Sequence, residues 1–230
     1  MITLENLTKA YWYRGKPKYI ARDLNVVIPD GARLALLGRN GAGKSTLLKL
    51  IAGSINPQRG RIRVTGSLSW PIGLSGCIQG ELTGVQNVKF LARVYGVDTD
   101  MLLSFVEEFA ELGLNFNEPV KTYSAGMRGR LSFGMSMGIR FDTYLIDEVS
   151  SAGDASFRGK SNRVFEERLK DSGLVMVSHS DGLVRSMCTT GAVLENGSIS
   201  FYDDIEEALE AHNRNLQGDG VKNTSDELLG

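Results

Sequence analysis

The sequence predicts an α/β fold: a core of buried parallel strands, opened by a β-rich segment and interrupted by a helical insertion. Three observations predict it. The apolar run Arg33-Leu34-Ala35-Leu36-Leu37 ends in Gly38-Arg39-Asn40-Gly41-Ala42-Gly43-Lys44-Ser45-Thr46, a glycine-rich turn closed by a Lys-Ser pair. Two further apolar runs, Tyr144-Leu145-Ile146-Asp147-Glu148 and Leu174-Val175-Met176-Val177-Ser178-His179, end in polar residues, as buried parallel strands do where they present groups to a ligand. Between the first run and the second, residues 85–112 change to a helical period.

Taken in order, residues 1–7 and 25–28 read as short strands, with turn signals at Arg14-Gly15-Lys16-Pro17 and Pro29-Asp30-Gly31. The glycine-rich turn is a P-loop. Gly38, Gly41 and Gly43 carry no Cβ, so successive backbone N–H groups can curl around a phosphate. Lys44 supplies a positive charge, and the helix from about Lys44 through Leu47, Leu48 and Ile51 aims its positive end at the same anion. Ser45 is placed to ligate Mg²⁺. Residues 53–60 form a loop, Arg61-Ile62-Arg63-Val64 alternates like a half-exposed strand, and Thr65-Gly66 turns into 67–70. Residues 71–84, rich in Gly, Pro, Ser and Gln, are too long and irregular for a turn and read as a docking loop.

In the helical stretch, Val88, Leu91, Ala92 and Tyr95 fall on one face and Leu102, Phe105, Val106, Phe109 and Leu112 on another, with Glu107, Glu108 and Glu111 outside. Ser124 is a good N-cap for a helix through Leu131, Met135 and Ile139. Gly129, Gly134 and Gly138 each weaken that helix by about 1 kcal/mol relative to Ala, so close packing or backbone access must explain them. Residues 160–170 connect the last two parallel strands as a helix, 192–201 close a hairpin, and 205–212 form a terminal helix. One domain over 1–216, with a helical subdomain at about 83–140, precedes a polar tail at 217–230 that reads as disordered.

Composition narrows the function. Lys+Arg 26 against Asp+Glu 27 leaves a net charge of -1, so no overall basic field argues for nucleic acid or an acidic membrane surface. The two cysteines, Cys77 and Cys188, lie far apart with no metal-ligand spacing, which favours free thiols in a reducing compartment. No run approaches the ~18 apolar residues of a membrane span, so work at a membrane requires an anchoring partner.

The ordered set of Gly38 to Thr46, Ser124-Ala125-Gly126-Met127, Leu145 to Glu148, Asp154 and His179 resembles the Walker A, signature, Walker B, D-loop and switch-histidine elements of ATP-binding-cassette (ABC) transporter ATPases. The resemblance spans about residues 1–212 and implies a P-loop NTPase with a RecA-like core, an N-terminal antiparallel β subdomain and a helical insertion. It implies ATP as ligand, bound by Gly38, Arg39, Asn40, Gly41, Ala42, Gly43, Lys44, Ser45 and Thr46, with Asp154 at the D-loop. Mg²⁺ falls to Ser45, Asp147 and Gln79; Glu148 is the implied general base, and His179 senses the γ-phosphate. Tyr11 matches the adenine-stacking aromatic, with Trp12 and Tyr13 as competitors. Tyr123, Ala125 and Met127 depart from the usual Leu-Ser-Gly-Gly-Gln, while Ser124 and Gly126 keep the hydroxyl and bare backbone that a phosphate needs. Gln79, the one glutamine between Pro71 and Glu81, lies closer to Leu82-Thr83-Gly84 than family spacing suggests.

Trp70-Pro71-Ile72-Gly73-Leu74, Gly80-Glu81-Leu82-Thr83-Gly84, Tyr123 to Arg128 and Glu148 to Asp154 carry a narrower resemblance, to the ATPases of capsule-type polysaccharide exporters. It implies a peripheral subunit on the cytoplasmic face of the inner membrane, paired with a second copy of itself and with a polytopic permease. Nucleic acid is not an expected partner, and glycan recognition falls to the permease. The competing readings are a soluble ABC ATPase that remodels proteins without a permease, an ABC exporter of another substrate, and a nucleotide sensor that scarcely turns over; Glu148 speaks against the sensor.

Overall fold

The computed structural model describes residues 1–72, 78–147 and 155–218. Its strands are β1 (Ile2–Tyr13), β2 (Lys16–Ile28), β3 (Arg33–Leu37), β4 (Arg59–Val64), β5 (Thr143–Asp147), β6 (Gly173–Val177), β7 (Thr190–Glu195) and β8 (Ser198–Tyr202). Its helices are α1 (Lys44–Ile51), α2 (Gly84–Tyr95), α3 (Thr99–Ala110), α4 (Ala125–Gly138), α5 (Ala155–Leu169), α6 (Asp181–Met187) and α7 (Ile205–Gly218). The chain divides into two compact units: Met1–Pro71 with Thr143–Glu148 and Gly173–Gly230, and Ile72–Asp142 with Val149–Ser172.

In the first unit, an antiparallel sheet runs β2-β1-β4 and a second sheet runs β5-β6-β3-β7-β8. β5, β6, β3 and β7 are mutually parallel, and β8 turns back antiparallel on β7. Leu4 and Leu7 of β1, Val26 and Ile28 of β2, Leu34 and Leu36 of β3 and Leu47, Leu48 and Ile51 of α1 form one apolar core with Leu145, Val175 and Leu194. The opening strands are longer than the short segments the sequence predicts, because the aromatic run Tyr11-Trp12-Tyr13 suits a pleated hairpin arm as far as the turn at Arg14-Gly15. Register shifts interrupt the pairing after Leu4, Leu7 and Lys9, and Asn6 and Asp23 at the first two have positive φ. Side chains satisfy the displaced donors: Asn6 N–H donates to Asn25 Oδ1 at 3.0 Å and Asp23 N–H to Thr8 Oγ1 at 3.1 Å.

The outer edge of β5 is covered by residues 67–70. Leu68 bridges to Thr143, Ser69 N–H donates to Thr143 O at 3.0 Å, and the Leu145 N–H donates to the buried Ser69 hydroxyl at 2.8 Å. α6 has no counterpart in the sequence prediction; at seven residues it is too short to reveal a period, and Ser180 caps it. α7 runs six residues past the predicted end at 212 and lies so close to β7 that a methyl group on Gly191 would collide with the Ala208 methyl. Residues 219–230, most of the predicted tail, lie outside the described residues.

In the second unit, the single predicted helical run over 85–112 is two helices divided at Gly96, which takes the left-handed C-cap of α2. Thr83 and Gln86 form a reciprocal capping box at the start of α2, and Asp98 caps α3. α3, α4 and α5 share an aromatic cluster: Phe109 lies 5.9 Å from Phe105, 5.6 Å from Phe133 and 5.1 Å from Phe157 between ring centroids. Close packing explains two of the α4 glycines. A methyl group on Gly134 would stand 3.1 Å from Phe109 Cδ1, and one on Gly138 would collide with Leu102 Cδ1.

Candidate functional site

The site begins where β3 ends. A methyl group on Gly38 would stand 2.6 Å from the Leu194 carbonyl oxygen, and one on Gly43 2.6 Å from Ile20 Cγ2, so both positions admit only a bare backbone. Gly43, at φ 109°, is the N-cap of α1; no side chain caps this helix and no acid stands in its first turn. The first-turn amides and the positive helix end are therefore left for an anion from outside. Lys44 is 8% exposed, and its ammonium curls back to donate to Gly38 O at 2.6 Å and Arg39 O at 3.1 Å.

Ser45 donates its hydroxyl hydrogen to Asp147 Oδ1 at 2.9 Å, across 102 residues of sequence. Asp147 is 4% exposed at the C-terminal end of β5. β6 lies between β5 and β3, so three parallel strands bring Asp147, the Ser178-His179 turn and the glycine-rich loop to one edge of one sheet. His179 is exposed there, and the turn around it is held by Ser180 N–H donating to Ser178 Oγ at 3.1 Å. A buried carboxylate already bonded to a hydroxyl, beside a phosphate-binding turn, fits the hard-oxygen donor set of Mg²⁺.

The β1–β2 register sorts the three aromatic candidates. Tyr11 is directly opposite Lys18, Trp12 opposite Pro17 and Tyr13 opposite Lys16. Residues directly opposite share a face. Lys18 Nζ stands 3.3 Å from where a Cβ of Gly41 would be, so Tyr11, opposite Lys18, and Tyr13, opposite Lys16, stand on the side of the hairpin that meets the loop, and Trp12 on the other. Lys9 Nζ sits 5.4 Å from the centroid of the Tyr11 ring.

In the second unit, Ser124 is the N-cap of α4, with its hydroxyl accepting from Met127 N–H at 3.2 Å; Ala125, Gly126 and Met127 form the first turn. Tyr123 is buried, and its hydroxyl donates to Asn115 O at 2.6 Å. Burial raises its pKa above the usual tyrosine value, with the Glu118 charge adding and a hydrogen bond from the Gly84 backbone opposing. A leucine cannot make this anchor. Gln79 has an exposed side chain, while its backbone is clamped by the buried Asn87, whose Oδ1 accepts from Gln79 N–H at 2.8 Å and whose Nδ2 donates to Gln79 O at 3.0 Å. Asn87 also donates to Thr83 O at 2.9 Å. Sequence reasoning misses it, although an amide at a core-facing helical position is a detectable anomaly. Glu148, Asp154 and residues 73–77 lie outside the described residues.

Two titratable groups of the first unit have shifted pKa values. Burial, reinforced by the charges of Lys44 and His179 and opposed by Asp181 and Glu195, lowers the His212 pKa below 6.5. Burial pushes the Cys188 thiol up to about 12 against the opposing charge of Arg33, so it stays protonated and inert.

A family model described as ABC transporter matches residues 21–151. Polysialic acid transport ATP-binding protein KpsT of Escherichia coli is 46% identical over 215 residues, which cover 92% of this chain and 96% of that protein. Capsule polysaccharide export ATP-binding protein CtrD of Neisseria meningitidis serogroup B is 43% identical over 213 residues, 93% of this chain and 99% of that protein. Among solved structures, a dimeric ATP-binding cassette in a post-hydrolysis state, bound to ADP and Pi, matches with a TM-score of 0.73 over 88% of this chain and 98% of that one, at 20% identity.

Proposed function

This chain belongs to the ABC transporter family, and from that premise we propose that it is the ATP-hydrolysing subunit that powers export of a capsule-type polysaccharide. The observation that carries the substrate class is the near-complete coverage of this chain and of relatives named for polysialic acid transport and capsule polysaccharide export, at 43–46% identity.

In the proposed reaction the N–H groups of the glycine-rich loop and the Lys44 ammonium hold the phosphates of ATP, and Tyr11 stacks on adenine. Ser45 and Asp147 hold Mg²⁺, with Gln79 as a further ligand; the ion, when bound, neutralises charge that develops on the phosphate oxygens. Glu148 takes a proton from water as the water oxygen bonds to the γ-phosphorus. The bond to the β-phosphate oxygen breaks, leaving ADP and inorganic phosphate. His179 donates a hydrogen bond to the γ-phosphate and so distinguishes ATP from ADP. Ser124 to Met127 cover the ATP held by a second copy of the chain, with Asp154 at the junction of the two, so hydrolysis requires a dimer closed over nucleotide.

No helix among the described residues is long and apolar enough to cross a membrane. The path for the glycan is therefore assigned to a polytopic permease, and this chain to the cytoplasmic face of the inner membrane, without direct contact to the polysaccharide. Affinity purification of the tagged chain from membranes tests this: a polytopic membrane protein should copurify, and ATP turnover should follow the complex. Recovery of the chain only with soluble proteins would contradict the transport role.

A further inference from the structure

We infer that Lys18 is a second phosphate-binding cation of the nucleotide site, delivered by β2 to the outer side of the glycine-rich loop. The inference rests on the ATP-binding reading and adds to it a residue outside the motif. Lys18 Nζ packs over the bare backbone of Gly41, 3.3 Å from where a Cβ would stand. Gly41 thus leaves room for an ammonium as well as for a turn.

Among the described residues, no hydrogen bond or salt bridge engages Lys18. Three other cations of this hairpin have partners: Lys9 donates to Asn56 O at 2.8 Å, the Arg14 guanidinium lies 5.3 Å from the Tyr13 ring centroid, and that of Arg22 4.3 Å from the Tyr19 ring centroid; Lys16, at the hairpin tip, does not pack on the loop as Lys18 does. Residues 9–22 hold Lys9, Arg14, Lys16, Lys18 and Arg22 and no acid, in a chain whose net charge is -1. The field at the loop is therefore positive from three directions: the α1 N-terminus, the buried Lys44, and Lys18 above Gly41. Like charges gathered so closely repel one another until an anion enters.

Position separates the two lysines. Lys44 is turned inward onto the Gly38 and Arg39 carbonyls, whereas Lys18 is exposed and stands directly opposite Tyr11 across the hairpin. With adenine on Tyr11 and phosphates in the loop, Lys18 lies between base and phosphates and meets the polyphosphate chain. The ligand class is a nucleoside polyphosphate; the contribution is charge, supplied by a group that the phosphate need not strip of a competing partner.

Equilibrium binding of ATP, ADP and adenosine to the full chain tests the assignment in wild type, Lys18→Met and Lys18→Arg, with circular dichroism to confirm that each is folded. Loss of a partly exposed charge-assisted contact predicts that Lys18→Met weakens ATP and ADP about tenfold and leaves adenosine within about twofold. Lys18→Arg should keep affinity within about threefold, because the charge persists. Equal ATP and ADP affinity in wild type and Lys18→Met overturns the inference and leaves the ATP reading standing. A parallel loss for adenosine also overturns it, since the lysine would then act through the hairpin rather than on phosphate. Wild-type chain that binds neither nucleotide overturns both readings.

Discussion

A buried ammonium is costly unless it is held by hydrogen bonds, and Lys44 is held by two loop carbonyls, Gly38 O and Arg39 O. This keeps the charge at the loop before nucleotide arrives. Lys44→Ala removes the cation and two loop bonds while the apolar core beneath is untouched, so ATP affinity or turnover should fall by at least about a hundredfold with the fold retained. Nucleotide titration and thermal melting check this, and a folded variant with normal turnover would refute the loop's role. His212 makes a different residue-scale prediction. Above pH 6.5 its imidazole is neutral folded and unfolded; below that value the unfolded chain binds a proton that the folded chain resists, so stability falls as pH falls. His212→Gln should flatten the nucleotide-free stability curve as pH falls below 6.5, as read by urea unfolding. Equal slopes in both proteins would contradict it. The Ser45–Asp147 pairing is foreseeable from sequence, because Ser45 opens the helix after a strand-like run and its glycine-rich turn, and Asp147 ends another strand-like run. The proximity of His212 to Lys44 is not, because it depends on where α7 packs, and an amphipathic helix does not state which strand it will cover.

At the scale of elements, the caps and the glycines decide more than the apolar periods do. The period over 85–112 predicts helix correctly but runs straight through the break, because Gly96 and Asp98 end one helix and begin another without interrupting the apolar face. Likewise the pattern of residues 8–24 hides a pleated hairpin, since its bulges shift the alternation from which a strand is recognised. On α4, alanine at position 138 would favour the helix by about 1 kcal/mol, yet its methyl would meet Leu102 and Phe105. Overpacking costs about 1–3 kcal/mol, so Gly138→Ala should be net destabilising in chemical denaturation. A more stable variant would mean that α3 and α4 can separate freely. Tyr123→Phe removes one of the two donors to the Asn115 carbonyl, leaving the Glu118 N–H at 2.9 Å, and should cost about 1 kcal/mol. It should also loosen the start of α4, seen as faster amide exchange at Met127; unchanged exchange would detach Tyr123 from the Ser124 turn.

For the whole molecule, the first unit carries a phosphate loop, a buried acid and a histidine turn, while the second carries a polar helix start held by Tyr123 and a loop clamped by Asn87. The proposed cycle joins one copy's loop to the other copy's helix start. Glu148→Gln is near-isosteric but removes the carboxylate proposed as the base, so ATP should stay bound and dimers should accumulate. Sedimentation of that variant with ATP and Mg²⁺ should give twice the monomer mass, and monomer alone would exclude a shared site. The central claim, that ATP hydrolysis by this chain drives polysaccharide to the cell surface, is met most directly by surface polysaccharide in cells whose only copy of the gene carries Lys44→Ala. The account predicts polysaccharide retained inside the cell with synthesis continuing; an unchanged amount at the surface would contradict it.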